Sequence, residues 1–249
     1  MEKQYHIGID GSHGAKIALL PGDPARAELI AGYLDKPRFH NQSREYTSWL
    51  GELGGEAVLV ISTGMGGPSA AICIEELYKT GVRDFIRIGT CGGMNLDVEA
   101  GDVVIATGAV RMEGTSREYV PIEFPAIANI DVTNALIESA DKLGLKRRVG
   151  IVQCKDSFYG QHDSERMPVG PELEYKWRAY IKAGCLASEM ESASVFIVSQ
   201  ILGCRSGCVL SVVWNQEREK AGLRNVANTD PADAIRAAVE AARLLIERR

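Results

Sequence analysis

An arginine lies inside an apolar stretch of the chain, directly before a glycine-rich turn. Arg87 stands between Ile86 and Ile88, and the run ends in Gly89-Thr90-Cys91-Gly92-Gly93. A guanidinium in a buried strand needs a negative partner. That partner is either a carboxylate in a structural ion pair or an anionic ligand bound between Arg87 and the N–H groups of the turn, where α/β sheets place ligands. For a lone arginine, the structural pair is the default.

A second arginine follows another strand-to-helix turn. Residues 16–20 predict a strand, and Pro21-Gly22-Asp23-Pro24 predicts a turn into a helix that runs to about Leu34. Asp23 suits the N-cap and Pro24 the first helical position. Arg26 then opposes the helix dipole in the first turn, so a bound anion would compensate its charge. A solvated surface arginine explains the residue equally well.

Two glutamates flank a methionine where a short strand at 185–187 meets a helix that runs to about Leu202. Ser188 and Glu191 have the spacing of a capping box, in which both side chains satisfy the first amides of the helix. Alternatively, one carboxylate of Glu189 and Glu191 accepts two hydroxyls of a ligand while Met190 packs on its apolar face. Spacing alone favours the cap.

Phe158 and Gln161 offer an aromatic plane and a side-chain amide three residues apart. An amide presents both a donor and an acceptor, as the edge of a pyrimidine requires. A core phenylalanine beside a surface glutamine is the simpler interpretation when these two residues are considered alone.

The turn Gly64-Met65-Gly66-Gly67-Pro68-Ser69 follows a predicted strand at 56–63 and invites a dinucleotide-binding interpretation. Ser69 stands where the third glycine of that fingerprint belongs, and no acidic residue ends a second strand about twenty residues later. We therefore expect no nicotinamide site.

Strands alternate with helices along the whole chain. The pattern predicts further strands at 44–50, 101–110, 149–154 and 208–214, helices at 68–79 and 132–143, and an amphipathic last helix. Residues 215–230 are polar and mixed, which suits a mobile flap. Without a linker or an internal repeat, this order predicts a single three-layer α/β/α domain over residues 1–249.

The composition narrows the choice of partners. The net charge is −5 and there is no dense basic run, so we expect no nucleic acid. The amino terminus is polar and no apolar run is long enough to span a membrane, so we expect neither a signal peptide nor a membrane anchor. Six cysteines without a C-x-x-C pair indicate free buried thiols in a reducing cytoplasm, and four scattered histidines argue against zinc.

Several short motifs in a fixed order resemble the nucleoside phosphorylase superfamily. They are Gly22-Asp23-Pro24 with Arg26, Arg87-Ile88-Gly89-Thr90-Cys91-Gly92, Asp156-Ser157-Phe158 and Glu189-Met190-Glu191. The likeness runs from Tyr5 to the last helix and is greatest to the members that cleave uridine. It implies a central mixed, partly barrel-like sheet and the reversible phosphorolysis of uridine to uracil and ribose 1-phosphate in pyrimidine salvage. It implies inorganic phosphate as co-substrate and no organic cofactor.

The resemblance also implies a role for each of its residues. Phosphate would be held by Gly22, Arg26, Arg87, Gly89, Thr90 and, from a neighbouring subunit, Arg44. Ribose would be held by Met190, Glu191 and the neighbour's His6, and uracil by Phe158, Gln161 and Glu189. Arg87, Thr90 and Glu191 would be the catalytic residues. Glu45 and Ser69 match a monovalent-cation site, expected to hold potassium, and the enzyme would be a homo-oligomer, a hexamer built as a trimer of dimers.

The chain departs from the superfamily pattern at two positions that bear on which nucleobase it binds. Purine-cleaving members carry an aspartate at the end of the late strand, whereas Val213-Trp214-Asn215-Gln216 has no acid, which favours a pyrimidine. Pyrimidine-cleaving members usually have an arginine two residues after the glutamine, where this chain has Asp163. Arg166 is the nearest candidate to replace it.

Other functions stay open at this point. The chain could be a phosphorylase of another nucleoside or of a broader range, or a nucleoside-binding module without turnover. A nucleosidase that uses water is disfavoured, because it would not need Arg26, Arg44 and Arg87.

Overall fold

The computed structural model describes residues 2–249, in which helices alternate with strands; Met1, the first residue of the polar amino terminus, lies outside the described residues. The strands are β1 (Ile17–Pro21), β2 (Asp35–Ser43), β3 (Tyr46–Leu53), β4 (Glu56–Ile61), β5 (Asp84–Gly93), β6 (Val103–Met112), β7 (Ala126–Ile127), β8 (Arg147–Lys155), β9 (Ala187–Glu189) and β10 (Arg205–Asn215). The α-helices are α1 (Pro24–Ala31), α2 (Gly67–Thr80), α3 (Thr115–Tyr119), α4 (Ile130–Lys142), α5 (Phe158–His162), α6 (Gly170–Lys182), α7 (Ser192–Ile201), α8 (Gln216–Lys220) and α9 (Ala232–Glu247).

Strand β5 organises the sheet because it pairs with three other strands. Its first half lies parallel to β1, its whole length lies parallel to β10, and its last two residues pair antiparallel with β9. Strands β5, β10, β6, β8 and β9 therefore form a closed ring, and β1, β4, β3 and β2 extend the sheet outward from β5. The predicted mixed sheet with a partly closed barrel is confirmed.

Glycines at the end of β5 allow the ring to close. A side chain at Gly93 would place its Cβ 2.6 Å from the amide nitrogen of Asn215, a residue of the neighbouring strand β10. Glycine has no side chain, so the two strands can approach each other closely where the barrel turns, and no larger residue would fit there.

Apolar residues cover both faces of the sheet. Helices α1, α4 and α9 pack on one face with residues such as Ile30, Leu136 and Leu245, and α2 and α7 pack on the other with Ile74 and Phe196. The strands beneath them are buried on both faces and therefore consist of continuous valine, isoleucine and leucine runs.

Several local features differ from the sequence-based expectation; helix α6, for example, was not predicted. Strand β2 was not predicted, because its residues are mostly exposed and include Pro37. Arg44 lies in the turn before β3, with a left-handed φ of 55°, rather than in the strand itself. Helix α1 ends at Ala31, before Leu34.

Other features bear on the remaining expectations. Residues 216–220 at the start of the predicted flap form α8, while its mobility stays a prediction. All six cysteines are buried free thiols. Within residues 2–249, no helix has the length and apolar character needed to cross a membrane, and no group of three or more histidine, cysteine or acidic side chains is arranged to hold a metal ion.

Candidate active site

A cavity of about 870 Å³ opens where several strands end. Strands β1, β4, β5 and β10 run parallel, so the turns that follow them meet at one edge of the sheet. The turn after β8 and the junction between β9 and α7 complete the wall. The candidate residues that line the cavity are Gly22, Arg26, Glu45, Ser69, Arg87, Gly89, Thr90, Phe158, Gln161, Glu189, Met190 and Glu191.

Arg87 has hydrogen-bond donors to spare. Its side chain is almost fully buried, and its Nη2 donates to the Glu191 carboxylate while Nε lies 3.7 Å from an oxygen of Glu189. Nε and Nη1 have no hydrogen-bond partner anywhere in residues 2–249. Burial acts to lower the pKa of Arg87, but the two carboxylates outweigh it and raise that pKa, so the group stays charged. The guanidinium therefore satisfies one carboxylate and keeps donors free for an anion.

The backbone lies unusually close to this guanidinium. A Cβ at Gly89 would lie 3.3 Å from Nη2 of Arg87, and one at Gly22 would lie 3.9 Å from both terminal nitrogens and 3.3 Å from the Gly64 carbonyl oxygen. Glycine at both positions leaves the space beside Arg87 open. A small anion placed there would meet the guanidinium and Arg26, whose side chain lines the same cavity.

Glu189, and not Ser188, caps helix α7, so the capping-box interpretation is wrong. The Glu189 carboxylate accepts hydrogen bonds from the backbone N–H groups of Glu191 at 2.9 Å and Ser192 at 3.0 Å, and from the Ser192 hydroxyl. The serine expected to cap the helix is bonded elsewhere. Glu189 is consequently occupied as a structural acceptor although it also lines the cavity.

Glu191 is left to face the cavity. One of its oxygens accepts the backbone N–H of Gly66 at 2.7 Å, and the other contacts Arg87. Burial raises the pKa of Glu191, while the neighbouring guanidinium acts to lower it. The carboxylate thus lies beside the anion-binding end of the cavity, where it can accept hydroxyl hydrogens of a ligand.

Another part of the cavity lining, the aromatic end, is formed by ring side chains. The rings of Phe158 and His162 lie 4.4 Å apart, and His162 is 6.5 Å from Trp214. Ser188 Oγ donates to the Gln161 side-chain oxygen at 2.8 Å. Aromatic planes beside a fixed amide suit a planar ring that has both donors and acceptors.

Cys91 also lines the cavity, and its thiol is buried. Burial raises the pKa of its thiol, which keeps the sulfur protonated near neutral pH. A protonated thiol is a weak nucleophile, so we assign Cys91 no covalent role.

Comparison with known proteins decides the family. The family model described as "Phosphorylase superfamily" matches residues 16–248 of this chain. The chain belongs to the phosphorylase superfamily. A uridine phosphorylase of Treponema pallidum (strain Nichols) is 50% identical over 243 residues, which cover 98% of this chain and 94% of that protein. A uridine phosphorylase of Escherichia coli (strain K12) is 37% identical and covers 97% and 98% of the two chains. A guanosine phosphorylase of Halorubrum lacusprofundi is 38% identical over 86% of this chain and 85% of its own length.

Two residues that the superfamily resemblance named, His6 and Arg44, do not line this cavity. His6 binds Glu76 instead: its Nδ1 lies 2.6 Å from a carboxylate oxygen, and its backbone N–H donates to the same group. Arg44 lies in the turn between β2 and β3, 5.7 Å from the ring of Tyr5. Both were expected to act in a neighbouring subunit's site, and this expectation stays a prediction.

Arg166, the expected substitute for a base-binding arginine, also lies outside the cavity lining. Its side chain is more than half exposed, and its Nε contacts the Asp163 carboxylate in the short turn after α5. Its contribution to base binding stays a prediction that requires this turn to move.

The residues expected to hold a cation lie together. Ser69 Oγ donates to the Glu45 carboxylate at 2.7 Å and also contacts the Thr63 carbonyl oxygen. Oxygen ligands of this kind suit a hard cation.

The sequence interpretation did not assign Lys155, His162 or Ser188, which all line the cavity. A usable signal was present for Lys155, because it ends an apolar strand much as Arg87 lies within one. The other two residues show no comparable pattern in the sequence.

Proposed function

We propose that this protein catalyses the reversible phosphorolysis of uridine to uracil and ribose 1-phosphate. Curated uridine phosphorylases at 37–50% identity over nearly the full chain support this activity. The observation on which the proposal depends most is the guanidinium of Arg87. It contacts Glu191 through one nitrogen and leaves Nε and Nη1 without protein partners in residues 2–249. A single side chain thus joins an anion-binding end of the cavity to a carboxylate suited to a sugar.

Phosphate would bind against Arg87 and Arg26, with Gly22 and Gly89 providing close backbone approach and Thr90 a hydroxyl. Each pair of unit charges about 4 Å apart contributes roughly 4 kcal/mol at an effective dielectric constant near 20. Two arginines at one anion therefore provide a substantial binding energy. That energy can hold phosphate in line with the sugar carbon that it attacks.

Glu191 would accept the ribose 2′ and 3′ hydroxyls, with Met190 packed on the sugar. Because Arg87 contacts this carboxylate, the bound phosphate and the bound ribose would be positioned by the same ion pair. The transition state is expected to resemble an oxocarbenium ion, as in other glycosyl cleavage. Phosphate itself is the nucleophile, which agrees with a buried neutral thiol at Cys91.

Uracil would lie at the aromatic end, stacked against Phe158 and hydrogen-bonded by Gln161. Glu189 would contribute by fixing the start of α7 and so the position of Glu191. Arg166 is retained as a base-binding candidate if its turn closes over the cavity.

A complete site would need a second subunit. We infer a homo-oligomer, a hexamer as a trimer of dimers, in which the neighbour's Arg44 reaches phosphate and the neighbour's His6 reaches the 5′ hydroxyl. The contact between Glu76 and Nδ1 of His6 supports the proposed role of His6, because it does not use Nε2, which can then bind a ligand. Glu45 and Ser69 would hold a potassium ion near this interface, where it would add positive charge without taking part in bond cleavage.

We further propose a cytoplasmic role in pyrimidine salvage, supported by six free cysteines, which suit a reducing compartment.

A broader nucleoside range is the second candidate. Its support is the guanosine phosphorylase relative and a second cavity that adjoins the base end of the first.

Incubation with uridine in the presence and absence of phosphate tests the proposal. Ultraviolet absorbance monitors the release of uracil, which we expect only when phosphate is present. Release without phosphate would indicate a nucleosidase, and binding of uridine without release would indicate a binding module. The same assay with inosine, guanosine and thymidine measures the range.

A further inference from the structure

A buried lysine lies between two cavities at the base end of the site. The second cavity, of about 710 Å³, lies between α5, α6 and α8. Lys155, Gln161 and His162 line both cavities. These three residues form a partition between the two cavities. In the proposed complex, the edge of the nucleobase that is remote from the ribose would face this partition.

The Lys155 ammonium has few protein partners. The residue is 5% exposed, and its Nζ donates one hydrogen bond, to Ser188 Oγ at 2.6 Å. Across residues 2–249 no carboxylate lies within 4.0 Å of it. Asp156, its neighbour in the chain, instead accepts the backbone N–H of Gly114. An ammonium presents three N–H groups, so two remain for a ligand.

Nearby acids are engaged elsewhere. Glu189 accepts the amides at the start of α7, and Glu191 is held by Arg87 and the Gly66 amide. Burial lowers the pKa of Lys155, although the carboxylate of Glu189 acts against this. A buried cation without a close counter-ion is costly unless a ligand supplies negative charge.

A hydrogen-bonded chain links this ammonium to the proposed base-binding amide. Lys155 donates to the Ser188 hydroxyl, which donates to the side-chain oxygen of Gln161. A base that faces Gln161 would thus lie within reach of Nζ. This connection also fixes the orientation of the amide, because its oxygen is occupied by Ser188.

We infer that Lys155 binds a keto oxygen of the nucleobase and stabilises the negative charge of the departing base, an inference that rests on the proposed phosphorolysis. As the phosphate oxygen bonds to the anomeric carbon, the bond from that carbon to the base nitrogen breaks and its electron pair delocalises onto the keto oxygens. The base then takes up a proton, balanced by the one that the hydrogen phosphate loses. A fixed cation at those oxygens acts where charge develops.

The same contact selects among bases. An ammonium can only donate hydrogen bonds, so it favours a keto oxygen and disfavours an exocyclic amino group at that position. The inference therefore favours bases with a keto oxygen at that position, such as uracil, thymine and the 6-oxopurines, and it disfavours cytosine and adenine, which carry an amino group there. The adjoining cavity would leave room for the larger of these rings.

Lys155→Met tests the role, with Lys182→Met as the matched control at an exposed position on α6. We expect kcat for uridine to fall about 100-fold in Lys155→Met, with the KM for phosphate nearly unchanged. The loss should be clearly smaller for 5-fluorouridine, whose base departs as a more stable anion and needs less help. The preference for uridine over cytidine should also shrink about tenfold, while the control keeps wild-type values.

An equal loss for uridine and 5-fluorouridine, with an unchanged preference over cytidine, would overturn the inference in favour of a structural lysine. Lys155→Gln, which keeps a donor for Ser188 but no charge, repeats the test if the methionine variant does not fold.

If the wild-type protein releases no base, the proposed function is refuted, and the role of Lys155 is then tested by binding alone. Isothermal titration calorimetry then measures binding of uracil and cytosine: a roughly tenfold weakening for uracil alone in Lys155→Met supports the inference, and unchanged binding refutes it.

Discussion

Two buried arginines differ in what surrounds their guanidinium groups. Arg87 on β5 is 4% exposed and Arg111 on β6 is 7% exposed. Arg111 donates through all three of its nitrogens, to the Ser116 hydroxyl and to the carbonyl oxygens of Ser116, Val120, Pro121 and Phe124. Arg87 contacts one carboxylate closely and leaves two nitrogens without a partner in residues 2–249.

This difference separates a structural cation from one that is available to a ligand. Arg111 closes the loop that follows β6, and its donors are used up by that task. Each buried donor without a partner lowers the free energy of unfolding by about 1–3 kcal/mol. Arg87 therefore destabilises the fold until an anion binds. The degree of hydrogen-bond satisfaction, rather than burial, therefore distinguishes Arg87 from Arg111 and supports the role in anion binding proposed for Arg87.

The largest expected effect is on catalysis at Arg87. Arg87→Met should lower kcat/KM for uridine by about 10³-fold or more, because phosphate loses its main cation. The melting temperature of the variant should stay within a few degrees of the wild-type value, since the Glu191 carboxylate still accepts a hydrogen bond from the Gly66 amide. Steady-state kinetics and circular dichroism measure both quantities. Near-normal turnover would remove Arg87 from the site.

Arg111→Met should show the reverse pattern. Losing the charged donor leaves several buried carbonyl oxygens unsatisfied, so we expect the free energy of unfolding to fall by roughly 3 kcal/mol or more. The fraction that remains folded should keep an almost normal kcat. Denaturant unfolding followed by activity per folded molecule tests this, and a stable but inactive protein would contradict the comparison.

The two neighbouring glutamates offer a similar contrast with smaller effects. Glu191→Gln should reduce kcat/KM for uridine by about 10- to 100-fold, the value of one charged hydrogen bond, and less for 2′-deoxyuridine, which lacks one of the hydroxyls. Glu189→Gln should instead destabilise α7 by about 1 kcal/mol, as loss of a helix cap does, without changing that substrate ratio. Equal ratios in both variants would argue against ribose binding by Glu191.

The smallest expected effect is at Arg166. Its guanidinium is exposed and paired with Asp163, so it must leave that partner to reach a base. We expect Arg166→Ala to raise the KM for uridine about threefold with little change in kcat, a loss of well under 1 kcal/mol. An unchanged KM would remove Arg166 from base binding.

Much of the fold could be predicted because the buried strands carry their own signal. The continuous apolar residues of β5 and β10 identify strands covered on both faces, and Asp23 and Pro24 mark the start of α1. Strand β2 carries no such signal, since most of its side chains are exposed. Its pairing with β3 stabilises it, and that contact is not visible in the local sequence.

The site was predictable to the extent that its residues are unusual in their local context. Arg87 in an apolar strand indicated a negative partner, either a carboxylate or an anionic ligand, whereas the roles of Glu189 and Glu191 depend on backbone geometry at the strand-to-helix junction. There the chain turns so that Glu189 meets the helix amides and Glu191 faces Arg87. Spacing favoured Ser188 as the cap because it does not record which way the junction bends.

The partition formed by Lys155 has a practical consequence for inhibitor design. A uracil ring extended by a short arm could pass the lysine and occupy the volume between α5, α6 and α8. A member of the superfamily that carried a different side chain at this wall would not accept such an arm equally well, so Lys155 offers a route to compounds that discriminate within the family.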